Sequence, residues 1–286
     1  MAGMSIPSKF EHELILFFYP SAGVLWHSPA TLALTSAIPK LIKRPRPIGH
    51  VSIRIKSAGS PTLDFHTGMG QLNKDEGRKE VLKDGYGLGI LFHDFKGRIE
   101  QTQELDQEVA QLSKKSGRLS FIRFEINREM AERMSQYLAE YTAKGAGNHY
   151  GGPHRPLFAE GGGCSAFAAS FLTVSGLMND ELLKAWSRNH LLPQNIIGGP
   201  KGKKKVPLWK VLSTFSWAKE SDPHEKYFIW DPDLMHKWTI KQFEQSSLPK
   251  ERWNNSPGII IHAKETACPK GPIFQGEPDY TRMGLN

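Results

Sequence analysis

Residues 160–172 read EGGGCSAFAASFL, so one of the chain's two cysteines directly follows three glycines. A cysteine acts as a nucleophile through its thiolate, and the unpaired N–H groups at a helix start favour that anion. The small apolar residues after Cys164 predict a helix that begins there and runs to about Val174. We therefore interpret Cys164 as a catalytic nucleophile, with Gly163, Ser165 and backbone N–H groups placed to bind the oxyanion of an acyl-transfer intermediate.

The thiol needs a base, and the alternating run PIGHVSIRI (47–55) supplies a histidine at the start of a predicted strand. Alternation puts the His50 side chain on one face with Ser52 and Arg54. A histidine at the mouth of a strand can reach the start of a helix that packs on the same sheet. The imidazole also needs a partner on its second nitrogen. His66, in the next alternating run, is the predicted partner, and Asp64 is the alternative.

A glycine- and proline-rich loop, AGNHYGGPHRPLFAEGGG (146–163), leads into the cysteine. Tyr150 in this loop is a predicted substrate or oxyanion contact, with a plain loop anchor as the alternative. His149 and His154 are alternative bases if His50 has a structural role.

These motifs resemble the circularly permuted papain-like superfamily. That group includes the permuted NlpC-type amidases and peptidases and the lecithin:retinol acyltransferase-like proteins. The resemblance rests on residues 48–70 and 145–175, where a histidine strand precedes the cysteine helix, the reverse of the ordinary papain-like order. It implies that Cys164, His50 and His66 act together, and that the substrate is an amide, such as a cell-wall peptide. Many members carry Asn or another polar residue where this chain has Gly163.

The elements that must position these residues mix strands and helices without βαβ regularity, which indicates an α+β fold. The resemblance implies an antiparallel sheet packed against the cysteine helix, with extra C-terminal elements. Residues 1–180 form the expected catalytic core, and 181–286 an extension or accessory subdomain. The alternating runs HVSIRI and TLDFHTGM predict a hairpin. Further strands are predicted at residues 14–19, 85–95, 118–126 and 259–261.

Asn127 is the predicted N-cap of a helix that ends at Gly145 and buries Met130 and Met134. The polar stretch IEQTQELDQEVAQLSKK (99–115) could be a short helix or a long excursion. The basic turn KRPRP includes Arg44–Pro45, which we expect to be extended or turn-like.

The formal net charge of +8 and the pI of about 9.3 favour anionic partners: nucleic acid, a membrane surface or a cell-wall polymer. Four of the lysines lie in one predicted basic loop, 198–207: Lys201, Lys203, Lys204 and Lys205. The chain has no HExxH or CxxC pattern, so we expect neither a catalytic metal nor a cofactor. No dedicated nucleic-acid motif and no membrane-spanning segment is evident. The apolar start of the chain fits a secretory signal poorly, because acidic residues precede it and Pro20 interrupts it; the compartment stays open.

The sequence thus predicts a cysteine-dependent amide hydrolase, an amidase or peptidase of the thiol protease kind. One alternative keeps the site and changes the acyl group, giving a lipid-directed acyltransferase or phospholipase. Another is a basic nucleic-acid- or polymer-binding protein without catalysis, with Trp230 and Trp238 stacking on bases. The aromatic stretch around these two tryptophans could line a substrate groove or pack in the core.

Overall fold

The computed structural model describes residues 6–41, 46–73 and 76–283. The predicted turn at Arg44–Pro45 lies outside them. The strands are β1 (His12–Tyr19), β2 (His50–Ser57), β3 (Phe65–Gln71), β4 (Phe95–Ile99), β5 (Ser120–Glu125), β6 (His149–Tyr150), β7 (Ser187–Pro193), β8 (His224–Trp230), β9 (Lys250–Trp253) and β10 (Ser256–His262). The helices are α1 (Pro29–Leu41), α2 (Glu76–Leu82), α3 (Thr102–Leu112), α4 (Arg128–Ala143), α5 (Cys164–Val174), α6 (Asp180–Trp186), α7 (Gly199–Gly202), α8 (Leu208–Leu212) and α9 (Pro232–Gln245).

The fold is α+β, built on a large mixed sheet. Within the described ranges its eight strands run in the order β6-β4-β3-β2-β1-β5-β10-β9, and β7 pairs with β8 separately. Neighbouring strands are antiparallel except β5 and β10, which are parallel. The C-terminal part of the chain therefore contributes two strands to the sheet that carries the site.

Strand β1 is central and buried on both faces, which explains its unbroken apolar sequence LILFFY. Leu14, Leu16 and Phe18 lie in the main core with residues of α4 and α5. Ile15, Phe17 and Tyr19 form a second cluster on the opposite face, where Val109 of α3 also packs. The two sheet faces thus hold different layers, with the cysteine helix on one and α3 on the other.

The hairpin predicted from two alternating runs is confirmed: β2 pairs antiparallel with β3, and Arg54 lies opposite His66. Val51, Ile53 and Ile55 point into the main core, as the alternation requires. The predicted strands at 14–19, 118–126 and 259–261 are present, with slightly different bounds.

Helices α4 and α5 also follow the sequence prediction. Asn127 accepts a hydrogen bond from the Met130 N–H and caps α4. Gly145, just beyond the helix, has a φ of 72°, which a glycine tolerates best. The polar stretch whose structure the sequence left open contains α3, with Leu105, Val109 and Ala110 as its buried stripe.

The prediction of a strand at residues 85–95 is wrong. Residues Leu88–Phe92 form a 3-10 helix, and the strand begins later, at Phe95. Gly85 and Gly87 have φ values of 68° and 50°, left-handed conformations that break a strand. Gly89 packs directly against the carbonyl of Gly198, so the segment follows tertiary contacts rather than its apolar pattern.

Asn127→Ala should destabilise the protein by about 1 kcal/mol, because the first turn of α4 loses its side-chain acceptor. The Asn127 amide also donates to the carbonyls of Lys264 and Thr266. Asn127→Ser, which keeps an oxygen acceptor but loses the amide donors, should recover part of that loss. Urea unfolding followed by circular dichroism measures both; equal stability of the alanine variant and the wild type would contradict the cap.

Candidate active site

Cys164 is the first residue of α5, and its side chain is buried. The glycines before it allow the chain to approach its neighbours closely. Gly161 has a φ of 96°, and a Cβ there would lie 2.3 Å from the carbonyl oxygen of His149. The N–H of Gly162 donates to that same carbonyl. The glycines thus join the Tyr150 loop tightly to the helix start.

The structure brings His50 next to Cys164, although 113 residues lie between them in the chain. The imidazole lies close enough to the thiol for each group to shift the pKa of the other. Burial raises the pKa of Cys164, but the charge of nearby His50, together with the Ser165 hydroxyl, lowers it to about 7. A substantial thiolate fraction therefore exists near neutral pH.

Glu100, one residue beyond β4, is the ion-pair partner of His50. Its Oε2 lies 2.8 Å from His50 Nε2, which leaves Nδ1 for the thiol. Burial and nearby Arg46 lower the pKa of His50, but Glu100 and Cys164 outweigh them and raise it to about 9. Burial raises the pKa of Glu100, yet His50 and Arg46 hold it well below its usual range. The pair is therefore an imidazolium and a carboxylate over a wide pH range.

Glu100 is buried because two glycines of β3 make room for it. A Cβ at Gly68 would lie 2.7 Å from Glu100 Oε2, and one at Gly70 would lie 2.9 Å from Oε1. Arg46 adds a second ion pair, with its Nη2 2.8 Å from Glu100 Oε1, and it also binds Glu108 of α3. The carboxylate is thus held between two cations with almost no exposure to water.

His66 is the predicted partner of His50, but Glu100 occupies that position in the structure. His66 instead bonds Ser52 through Nε2 at 2.8 Å and Asp106 of α3 through Nδ1 at 2.7 Å. The register explains this correction: His66 lies opposite Arg54, four residues or about 13 Å along β2 from His50. The alternative, Asp64, pairs with Arg54 at 2.6 Å. His66 thus ties β3 to α3, whereas Asp64 is held by Arg54 of β2.

Sequence reasoning did not single out Glu100 or Arg46. Glu100 opens a polar stretch with many carboxylates, and nothing in its own neighbourhood distinguishes it. Its backbone N–H donates to the carbonyl of Gly68, so its position follows from the pairing of β3 with β4. That pairing is a tertiary property.

Tyr150, Gly163 and Ser165, predicted as oxyanion or substrate contacts, all line the cavity beside Cys164. The Tyr150 hydroxyl lies close enough to the Cys164 thiol for the thiol to affect its pKa. Burial and the neighbouring thiolate raise the pKa of Tyr150 well above its ordinary value, so the hydroxyl stays protonated as a donor. The Ser165 hydroxyl lies 3.8 Å from the sulfur.

The alternative bases are occupied elsewhere. His149 and His154 each bond one oxygen of Asp94, at 2.7 and 2.9 Å. These two hydrogen bonds to Asp94 fix both ends of the short loop that carries Tyr150. The two histidines therefore position the tyrosine rather than replace His50.

The cavity at Cys164 has a volume of about 210 Å³ and largely apolar walls. Its apolar side chains include Trp26, Leu32, Leu91, Phe95, Ile229 and Trp230. Asp231 and Asp233 supply carboxylates at one side. Trp230 is thus a cavity residue, whereas Trp238 packs edge-on against buried Trp186. The aromatic stretch that contains both contributes to the groove and to the core.

A second cavity, of about 500 Å³, adjoins the first across Gly152, Ala166 and Tyr227. Its walls are more polar and include the basic side chains Arg155, Lys201 and Lys226. The cleft around the first turn of α5 thus has an apolar part beside the sulfur and a more polar part next to it, where Arg155 pairs with Glu160 and Lys201 with Glu225.

One group among the described residues could hold a metal ion: Glu76, Glu80 and His93 each place a ligand atom within 4.8 Å of the others. None of the three lines the cavity at Cys164. The proposed chemistry of the cysteine site therefore does not involve this group.

No protein-family model, curated protein or solved structure matches this chain. The function is therefore inferred from the site itself.

The alkylation rate of Cys164 by iodoacetamide should rise with a midpoint near pH 7, because the thiolate forms above its pKa of about 7. Burial raises the pKa of Cys268, so that thiol should react more slowly and at higher pH. Mass spectrometry of labelled peptides across a pH series distinguishes the two. A midpoint for Cys164 near 8.5, the value of a free thiol, would contradict the contact with His50.

Glu100→Gln should raise the pKa of Cys164, because His50 then loses its proton at lower pH and its charge no longer stabilises the thiolate. Alkylation at about pH 6 should slow roughly tenfold, which corresponds to one pKa unit. Asp106→Asn, which alters the carboxylate on His66, is the matched control and should change the rate less than about twofold. A larger effect of the control than of Glu100→Gln would return the role to His66.

Proposed function

We propose that this protein is a cysteine hydrolase that forms an acyl-enzyme on Cys164. The observation that carries the proposal is the buried chain of contacts from Glu100 through His50 to the Cys164 thiol. A nucleophile, a base and a carboxylate in successive contact are the arrangement that thiol hydrolases need. A cysteine with a merely structural role needs no buried carboxylate behind its neighbour.

In the proposed reaction the Cys164 thiolate attacks the substrate carbonyl carbon and forms a C–S bond. The tetrahedral oxyanion collapses as the bond to the leaving group breaks, and the His50 imidazolium gives its proton to that group. Water then attacks the thioester while His50 takes one of its protons. The second collapse releases a carboxylic acid and returns the proton-bearing imidazolium and the thiolate.

The developing oxyanion has two sources of donors in this site. The backbone N–H groups at the start of α5 have no partner within the first helical turn and carry the positive end of the helix dipole. The hydroxyl of Tyr150, which stays protonated, reaches the sulfur and can donate to an oxygen formed next to it. Each well-placed donor of this kind is worth about 10² or more in rate.

The chain order supports a circularly permuted papain-like assignment. The base lies on β2 and the nucleophile on α5, so the histidine strand precedes the cysteine helix. Helix α5 packs against β2 and β3, as the resemblance implies for the cysteine helix and the antiparallel sheet. On this assignment an amide, such as a peptide bond of a cell-wall polymer, is the first substrate class.

A second candidate function changes the acyl group. The cavity beside the sulfur is lined largely by aliphatic and aromatic side chains, which favours an apolar acyl chain over a polar peptide. This observation supports the lipid-directed acyltransferase or phospholipase. The thioester forms by the same steps, with an ester as the bond that is broken. A phospholipase then passes the acyl group to water, whereas an acyltransferase passes it to a hydroxyl or amine of an acceptor, which gives its proton to His50.

The test compares wild type with Cys164→Ala on peptidoglycan fragments and on p-nitrophenyl esters of short and long acyl chains. We expect Cys164→Ala to lose at least about 10³-fold in kcat/KM, and a thioester on the Cys164 peptide to be detectable by mass spectrometry. Cys268→Ala, the matched control, should keep full activity. Preference for long esters favours the lipid function, and release of peptides favours the amidase.

Turnover that persists in Cys164→Ala, or an adduct on Cys268 alone, would refute the proposal.

A further inference from the structure

The segment around α8 displays large apolar side chains to solvent. Trp209 is 68% exposed and Phe215 is 78% exposed, and Leu212 is exposed between them. Val211 of the same helix is buried in a small core with Leu32 of α1. The helix is therefore folded onto the protein by one face and presents outward an apolar face that none of the described residues covers.

Helix α1 extends this surface. The N–H of Ala30, near the start of α1, donates to the carbonyl of Thr214 at 3.0 Å, and α1 and α8 pack together. Leu34 is exposed on α1, and the N–H of exposed Leu25 donates to Thr35 Oγ1 one position further along. We call this set the α1–α8 face: Leu25, Leu34, Trp209, Leu212 and Phe215.

The chain around the α1–α8 face is basic. Residues 194–219, which include α8, contain six lysines and no Asp or Glu; Glu220 follows them, and Lys201 pairs with Glu225. Lys203 and Lys205 are exposed in the segment that leads into α8. Aromatic and aliphatic side chains bordered by lysines are the composition of segments that bind an anionic membrane surface.

This face is linked to the active-site cavity. Trp217, two residues after Phe215, donates from Nε1 to the carbonyl of Trp26 and stacks on its ring. Trp26 and Leu32 line the cavity beside Cys164. The outward face and the apolar cavity are thus two sides of the same α1–α8 layer.

We propose that the α1–α8 face docks on the surface of an anionic lipid bilayer. The apolar side chains would enter the interface and the lysines would contact lipid head groups. No helix within the described residues is long and apolar enough to cross a membrane, and docking at the surface does not need one. A second copy of the chain fits less well, because two basic faces repel each other. A nucleic acid fits less well because the three leucines offer no ring for a base to stack on.

The experiment is co-sedimentation of the full chain with extruded vesicles of phosphatidylcholine, with and without about one quarter phosphatidylglycerol. We expect binding to the anionic vesicles that exceeds binding to the neutral ones. Trp209→Ser with Phe215→Ser should lower the partition coefficient at least ~10-fold, since both rings leave water on docking. Leu82→Ser with Leu183→Ser, exposed leucines on α2 and α6, is the matched control and should bind as wild type does.

Cys164→Ala should bind vesicles as wild type does, so a failure of the proposed catalysis and a failure of docking remain separate results. Three outcomes overturn the docking proposal: no binding to anionic vesicles, unchanged binding by the Trp209 and Phe215 double variant, or binding of a single-stranded oligonucleotide that depends on those two residues. A dimer in sedimentation velocity that the double variant abolishes would assign the face to a second copy instead.

Discussion

The site depends on keeping three ionisable groups, Cys164, His50 and Glu100, charged together out of water. Each alone would be neutralised by burial, because the low dielectric disfavours an isolated ion. Placed side by side, the three groups stabilise one another, and Arg46 forms a second ion pair with the Glu100 carboxylate. Such an assembly tolerates little change, since removal of one partner from a buried pair costs about 3–5 kcal/mol.

The two faces of the sheet contribute differently to this assembly. The apolar face holds α4 and α5, whose packing fixes where the cysteine helix begins. The opposite face carries polar side chains under α3, where Ser52, His66 and Asp106 form a hydrogen-bonded chain. His50 is the first residue of β2, at the edge of the sheet where the layer of α5 and the layer of α3 meet. That position lets a residue of the polar face reach a thiol supported by the apolar one.

The C-terminal part of the chain completes the site. Strand β10 pairs in parallel with β5, and α9 packs on β1 and β5, so this part belongs to the same core. Strand β8 and the start of α9 supply cavity walls, including Trp230 and Asp233. The sulfur of Cys164 thus lies in a cleft whose walls come from several parts of the chain, which limits its contact with bulk water.

The sequence alone determined the features that depend on local chemistry: the helix that starts at Cys164, the Asn127 cap, and the strand alternation that puts His50 with Ser52 and Arg54. It predicted His66 or Asp64 as the partner of His50 and missed Glu100, because which residue reaches His50 depends on strand register. A β-ladder sets which residue of β3 faces His50, and that residue is Gly68 or Gly70 rather than a histidine. The space those glycines leave is filled from the end of β4, through a pairing that no local pattern encodes.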